Sequence, residues 1–456
     1  MSLVIHHRCR PLAAAIDAAL RTQQTCRIRA LAVLTGFSLL GLTFSHPTNA
    51  VGAGQTYIVT TAGDPGPTGT LSLREAVELA NASTDDTVKF DPSLVGSTIT
   101  LANGEIDLTP PVTIIGPGAD RLTVSGDDHS RIFNIGPSGD AVVLVIGLTM
   151  THGRASDVDG GAITVTGRLA LIDSVVSAST ASRGAGISVI GGALYASGST
   201  LSGNAATAYG GALYSSYGSD AELQGCTISG NSAEISGGGV FASGYSFLRL
   251  YHSLIDSNAL GHPSGVAQSG GGIALNHASS RIINSTISGN FAPDGGGGGI
   301  GVLNPYSEYA VIQYSTIVGN ATSSGSDNGI YSKSGAYCHI GESIVANNFS
   351  AANDDDLAGA FAVSYSLIKN SGTAALTGSG NVFGADPELG SLRANGGPTL
   401  TMLPAATSPA IDRIPAGGIS TDQRFLPRAV HELADMGAVE RQTPEVVVFG
   451  DGFDGS

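Results

Sequence analysis

Between residues 199 and 348 the chain alternates short apolar or β-branched runs with Gly, Ser and Asn punctuation. No run sustains an apolar stripe at 3.6-residue spacing, so the runs are expected to be strands. One hexad carries a repeat. Ser199-Thr200-Leu201-Ser202-Gly203-Asn204 returns as Cys226–Asn231, Ser253–Asn258, Ser285–Asn290 and Ser315–Asn320. A last copy, Ser343-Ile344-Val345-Ala346-Asn347-Asn348, reads as shifted by one residue. With Asn347 taken as its marker, the asparagines fall at 204, 231, 258, 290, 320 and 347, spaced 27, 27, 32, 30 and 27. Between the hexads lie glycine runs at Gly210-Gly211, Gly237–Gly239, Gly270–Gly272 and Gly297–Gly299, with an opening copy at Gly160-Gly161.

This periodicity predicts an all-β chain, a right-handed parallel β-helix (solenoid) with three short strands per turn. A unit of this size cannot bury its apolar face alone, whereas in-register stacking gives every strand a parallel partner at ~4.8 Å. Ile228, Ile255, Ile287 and Ile317 should then stack as a core column. Parallel crossovers set the hand. Asn204, Asn231, Asn258, Asn290, Asn320 and Asn347 are expected to form a structural ladder of stacked amides, at a turn where asparagine tolerates left-handed angles. Propeller blades have longer repeats and aromatic motifs, and this chain has no Trp. Cys226 occupies the serine slot of the hexad, and Cys338 lies about four rungs away, ~19 Å. A disulfide needs Cα atoms within ~7 Å, so two free thiols are expected.

The ends differ from the repeat. In Leu71–Asn81, Ser72 and Glu75 form a capping box, and positions 73, 76, 77 and 80 share an apolar face. Leu71 is placed to staple onto Ala76, and strands at Thr98–Leu101 and Val112–Ile115 should begin the coil. A short helix containing Ser72, Arg74 and Glu75 is therefore expected as the N-terminal cap. Upstream, Arg27 and Arg29 precede an apolar run from Ala30 to Phe44, then Thr48-Asn49-Ala50. That order is a secretory signal, and the run is short against the ~20 residues of a spanning helix. The expected organisation is a signal peptide at 1–50, N-terminal cap and first coils at 51–126, repeats at 127–380, a closing module at 381–441 and a tail at 442–456. No transmembrane span is expected after signal cleavage.

Composition narrows the partners. Glycine numbers 65 and charged residues make up only 13%, against 42% hydrophobic, which fits a large core under a Ser/Thr/Asn/Gly surface. The net charge is −16, with only Lys89, Lys333 and Lys369 as lysines. Binding of nucleic acid or of an anionic membrane is excluded on that balance.

Three segments resemble known families. Leu71-Ser72-Leu73-Arg74-Glu75-Ala76 is similar to the CSLREA domain of exported bacterial β-helix proteins, with Leu71 in place of its cysteine. The repeats resemble polymorphic outer membrane protein-like β-helices. Asp386-Pro387-Glu388-Leu389, Asn395-Gly396-Gly397-Pro398-Thr399, Ser408–Asp412, Asp422-Gln423-Arg424 and Asp435–Glu440 resemble the choice-of-anchor Q module. Phe425 and Arg413 stand where that module usually has glycine. The tail around Phe449-Gly450-Asp451-Gly452-Phe453-Asp454 resembles endings of other exported proteins and is a candidate sorting signal. The resemblances imply a secreted or outer membrane-associated, adhesin-like protein at the cell surface.

Candidate chemistry is sparse. β-Helices also act as polysaccharide lyases and glycoside hydrolases, which need carboxylate clusters with a base, or paired carboxylates on one groove. Asp127-Asp128-His129 reads as an ordinary opening rung, and Asp354-Asp355-Asp356 as a solvated turn, since adjacent residues on extended chain point apart. Asp157 and Asp159 are the other calcium candidates. Arg424, Arg428, Asp412, Asp422 and Asp435 are expected to pair among themselves. His152, His252, His277 and His339 receive no role. No catalytic or metal residue is therefore assigned and no cofactor is expected, calcium being the one open candidate. Tyr209, Tyr214, Tyr217 and Tyr245 are the candidates for glycan contact, since an aromatic ring stacks on a sugar while its hydroxyl bonds. The expected function is a non-enzymatic exported scaffold for adhesion or contact with an extracellular glycan or surface component. The alternative is a polysaccharide lyase or glycoside hydrolase.

Overall fold

The computed structural model describes residues 54–442, except 84, 110, 137–138, 262–268, 294–295, 304–308, 324–328, 351–352, 416–417 and 429–431. The signal candidate and the tail lie outside the described residues.

The runs of apolar residues are strands, and every one in the solenoid pairs in parallel with its counterparts one turn away. Among the described residues, sheet A has 13 strands, from Thr56–Val59 to Ala375–Thr377. Sheet B has 12, from Thr98–Thr100 to Val382–Phe383. Sheet C has 10, from Ile106–Leu108 to Leu357–Ala358, and sheet D has 8, from Arg154–Asp159 to Phe349–Ser350. Each central turn visits A, B, D and C in that order. The turn thus has four strands where the pattern predicted three. The fourth is hidden in the sequence because strands such as Ser232–Ala233 and Ala259–Leu260 are only two residues long.

The core is a set of vertical columns. Ile228, Ile255, Ile287, Ile317 and Val345 are neighbours in successive strands of sheet B, each fully buried. Full burial of one such side chain contributes about 1.5–3 kcal/mol. At the corner between sheets B and D the side-chain amide of Asn204 donates to Asn231 Oδ1 at 2.9 Å. The same 2.9 Å contact joins Asn231 to Asn258, Asn258 to Asn290 and Asn290 to Asn320. Each Nδ2 also donates to a carbonyl of the preceding turn, such as Val176 O for Asn204 and Ile228 O for Asn258. Each Oδ1 takes a second bond from the backbone N–H of the asparagine before it.

Two expectations about this corner are corrected. The last asparagine rung is Asn348, not Asn347: Asn320 Nδ2 donates to Asn348 Oδ1 at 2.9 Å. Asn347 is exposed, and its amide oxygen accepts from Lys369 Nζ at 2.6 Å. The hexad is therefore not shifted; Asn347 replaces its glycine. The left-handed position is also that glycine slot rather than the ladder asparagine. Gly203, Gly230, Gly289 and Gly319 have φ of 62, 62, 64 and 68°, and Ser257 and Asn347 take 55 and 56°. Asn347 fits there because a short polar side chain tolerates that region.

A second ladder runs along the corner between sheets A and B. The Oγ atoms of Ser253, Ser285, Ser315, Ser343 and Ser366 each accept the backbone N–H of the preceding turn, from Cys226, Ser253, Ser285, Ser315 and Ser343 at 3.1–3.3 Å. Cys226 takes a serine slot of this ladder. Cys226 and Cys338 are free and buried, and burial pushes both thiols up to about 12.

The helix α1 (Leu73–Asn81) packs against Thr56–Val59, Asp86–Phe90 and Ile106–Leu108. It has the reciprocal Ser72–Glu75 capping box and buries Leu73, Ala76, Val77 and Ala80. Arg74 clamps the first turns. Its Nε and Nη2 donate to Asp64 at 2.7 and 2.8 Å, and Nη1 and Nη2 reach Glu105 O and Gly104 O at 2.8 and 2.6 Å.

Asn258→Ala leaves the Asn231 N–H and amide donors without their buried acceptor, at about 1–3 kcal/mol per group. We expect its urea midpoint to fall well below wild type. Asn347→Gly keeps a left-handed residue at an exposed site and should stay within about 0.5 kcal/mol of wild type. Equal shifts in the two variants would refute the reassignment.

Candidate functional site

In the strands of sheet A alternate side chains point in and out. In Asp220–Gln224, Ala221 and Leu223 are buried, and Asp220, Glu222 and Gln224 face outward. Strict register then stacks the outward residues of successive turns. The middle column reads Tyr195, Glu222, Arg249, Arg281, Val311, His339. On one side of it run Asp220, Phe247 and Ser279, then Tyr309 and Tyr337. On the other side run Gln224, Tyr251, Ile283 and Gln313.

These side chains hold one another upright. Arg249 pairs with Asp220, and its guanidinium sits 4.2 Å from the centroid of the Phe247 ring. Phe247 meets Tyr309 edge-on at 6.0 Å. Tyr195 Oη donates to Gln224 Oε1 at 3.2 Å. Arg281 is exposed and bonds the Tyr251 hydroxyl. Burial raises the Glu222 carboxyl above the usual range; neighbouring Arg249 lowers it and Asp220 adds to the rise. Burial pushes Tyr195 up to about 12 and also raises Tyr251.

Two rims border this face. At the turn entering sheet A, Tyr217 and Tyr245 have φ of 58 and 63° and are 73% and 70% exposed. Bulky residues in the left-handed region are uncommon, and strain of this sort gathers at functional positions. At the turn leaving sheet A, the segment after Asp386 runs back along the outside of sheet B. It is not a plug on the open end, as a closing module would suggest. Pro398 packs beside Gly225. Phe425 stacks on His252 at 4.2 Å, and His252 Nδ1 donates to Asp422 O at 2.9 Å. Gln423 bonds Thr286 Oγ1 at 2.7 Å and Ser253 O at 3.1 Å. Ala438 N donates to Thr316 Oγ1 at 3.0 Å, and Gly437 N to Glu342 O at 2.8 Å.

Within this strap Asp422 binds Arg424 at 2.7 Å, as expected. Arg428 departs from the expected pairing. Fully buried over the Tyr314 ring at 4.7 Å, it donates to Asn284 Oδ1 at 2.8 Å and to the carbonyls of Ala438 and Asp435. Asp412, Asp435 and Glu440 bring carboxylate oxygens within 4.8 Å of one another, the one such trio among the described residues. Both oxygens of Asp435 accept backbone N–H groups, from Asp412 and Arg441, and Glu440 Oε2 accepts that of Asp435. Burial pushes Glu440 up to about 8, so it is protonated at neutral pH. The trio thus has one charge fewer to offer a cation.

The four tyrosines chosen from the sequence separate into two pairs. Tyr209 and Tyr214 are packing residues: Tyr214 is 5% exposed and stacks on Phe241 at 5.8 Å, and Tyr209 lies 4.7 Å from the same ring. Only Tyr217 and Tyr245 are open to solvent. Among the acids, Asp127 and Asp128 form an exposed left-handed turn with φ of 53 and 56°. Asp159 is bound to Arg183 at 2.7 Å, and the Asp157 side chain lies outside the described residues. Asp354–Asp356 do not converge. Asp354 is exposed, whereas Asp356 is buried and ends the amide ladder by accepting from Asn348 Nδ2 at 2.8 Å. Burial pushes Asp356 up to about 6. The sequence reading missed the Glu222–Arg249–Arg281 column. The signal was available as Asp220-Ala-Glu222, Arg249 and Arg281 at matching phases of successive repeats, and the loop of unequal length between turns obscured it.

Residues 140–312 match the family described as "Right handed beta helix region". With the strand topology above, the fold is a right-handed parallel β-helix. Among solved structures, pectate lyase Pel9A is 14% identical, with a TM-score of 0.49, over 86% of this chain and 98% of that one. The ORF18 protein of Geobacillus virus E2 is 11% identical, with a TM-score of 0.27, over 72% and 59%. At these values the two likenesses say nothing about activity. No curated protein matches the chain. Among the described residues no helix is long and apolar enough to cross a membrane.

The Glu440 carboxyl binds its proton more tightly folded than unfolded, about 8 against 4.5. Its contribution is complete below about pH 4.5 and is lost as pH rises through 8. His252, lowered to about 4 by burial, works the other way and only below about pH 6.5. Between pH 6.5 and 9 the unfolding midpoint should therefore fall with pH, and Glu440→Gln should flatten that slope. An unchanged slope in the variant would show that another group titrates.

Proposed function

We propose that this chain is an exported, surface-displayed β-helix scaffold that binds polysaccharide along the outer face of sheet A. The observation that carries the reading is the register. Sheet A aligns aromatic, guanidinium and carboxyl groups outward over successive rungs, bordered by two strained, exposed tyrosines. Rungs ~4.8 Å apart give a linear ligand repeated contacts. Aromatic rings offer sugars an apolar face, and guanidinium and amide groups bond hydroxyls. The CSLREA-like and choice-of-anchor Q-like segments support export and anchoring at the cell surface. A second reading, cleavage of the bound glycan, is favoured by Glu222, whose raised carboxyl lies two residues from Asp220 on the same face. A carboxyl tuned upward suits a general acid.

Retention of residues 51–456 on a panel of immobilised polysaccharides, with and without calcium, tests the proposal. Tyr217→Ala/Tyr245→Ala is expected to weaken retention by about tenfold or more, ~1.4 kcal/mol. Wild-type retention on no polysaccharide would sink the reading. New reducing or unsaturated ends that disappear in Glu222→Gln, with retention kept, would decide for the enzyme.

A further inference from the structure

A groove of about 780 Å³ lies on the far side of the solenoid from the sheet A face, on the outside of sheet D. It is lined by Phe291, Ala321, Thr322, Ser323 and Phe349, with Gly289 and Gly319 at its margin. The outward column of sheet D reads Thr180, Ala205, Ser232, Ala259, Phe291, Ala321, Phe349 in register. Every member but two is small. The two phenyl rings stand on alternate rungs, ~9.6 Å apart by strand spacing, with only the Ala321 methyl between them. Phe349 is 51% exposed.

We propose that this notch is a second glycan subsite, taking a neutral pyranose chain with one sugar ring over Ala321 between Phe291 and Phe349. The inference rests on the glycan-binding reading but concerns another face. Among the described residues none that lines the groove is charged, so these side chains offer an anionic or cationic ligand no counter-charge. Polyanions are further opposed by the net charge of −16. Rings on alternate rungs leave room by strand spacing for a saturated ring with an apolar C–H face on either side, and the exposed Ser323 borders the notch with a hydroxyl. Gly289 and Gly319, with φ of 64 and 68°, add no side chain, so the groove stays open for a chain longer than one sugar.

Calorimetric titration of residues 51–456 with cellohexaose, xylohexaose and chitohexaose tests this. We expect two sites per chain for at least one oligosaccharide. Phe291→Ala/Phe349→Ala should remove one site and leave the other's affinity unchanged, whereas Tyr217→Ala/Tyr245→Ala should do the reverse. Ala321→Glu keeps both rings and fills the notch from the solvent side, so it should weaken the same site at least about tenfold without a change in unfolding midpoint. A wild-type stoichiometry of one that Tyr217→Ala/Tyr245→Ala abolishes would overturn the inference and leave the sheet A reading standing. Binding unchanged in Phe291→Ala/Phe349→Ala and in Ala321→Glu would overturn it also. Saturable binding of an apolar peptide but of no oligosaccharide at the notch would assign it to a protein partner instead.

Discussion

A carboxamide has two N–H donors and an oxygen that accepts two bonds, and burying it anywhere else would leave some unpaired. At the corner between sheets B and D all are paired, but only when turns are stacked in one register. Asn258, for example, gives its protons to Asn290 and to Ile228 O and receives two from Asn231. A slip by one residue would strand these groups and turn the isoleucine columns outward at the same time. The ladder therefore fixes the register on which the sheet A column and the sheet D notch both depend, since neither exists in a single turn.

Most of this architecture was legible in the hexad repeat, because its two informative positions are single residues with fixed demands. The apolar position stacks in the core and the asparagine stacks in the ladder. Where the reading failed, a residue could satisfy two slots. Asn347 and Asn348 are adjacent, and only burial distinguishes the one that replaces glycine from the one in the ladder. Sheet D escaped notice because from Ser232–Ala233 onward its strands have two residues each, too few to carry a periodicity. The helix cap was plain from Ser72 and Glu75, whereas the fourfold grip of Arg74 on Asp64, Gly104 and Glu105 needs contacts some ten and thirty residues away.

The candidate site was harder to read for a related reason. Tyrosines look alike in sequence whether they stack on Phe241, as Tyr214 does, or stand in solvent, as Tyr217 does. Position in the turn decides: Tyr214 lies within a sheet C strand, and Tyr217 lies past its end in a left-handed corner. The outward column of sheet A is scattered over residues 195–339 and becomes a surface only after stacking. Large outward side chains line up in register there only because the turns stack.

The return of the segment from Asp386 to Gln442 along sheet B has a consequence for how the molecule comes apart. A plain solenoid touches only its nearest neighbours, so its end turns can peel away one at a time. Here one stretch of chain is bonded to turns containing Lys369, Glu342, Thr316, Asn284 and His252. Fraying of the last turn must break contacts several turns inward, so the C-terminal half should open as a cooperative block. The strap can also dock only after those turns exist, so it follows them in the order of assembly, and the last turns stay unsecured until the strap itself has been made.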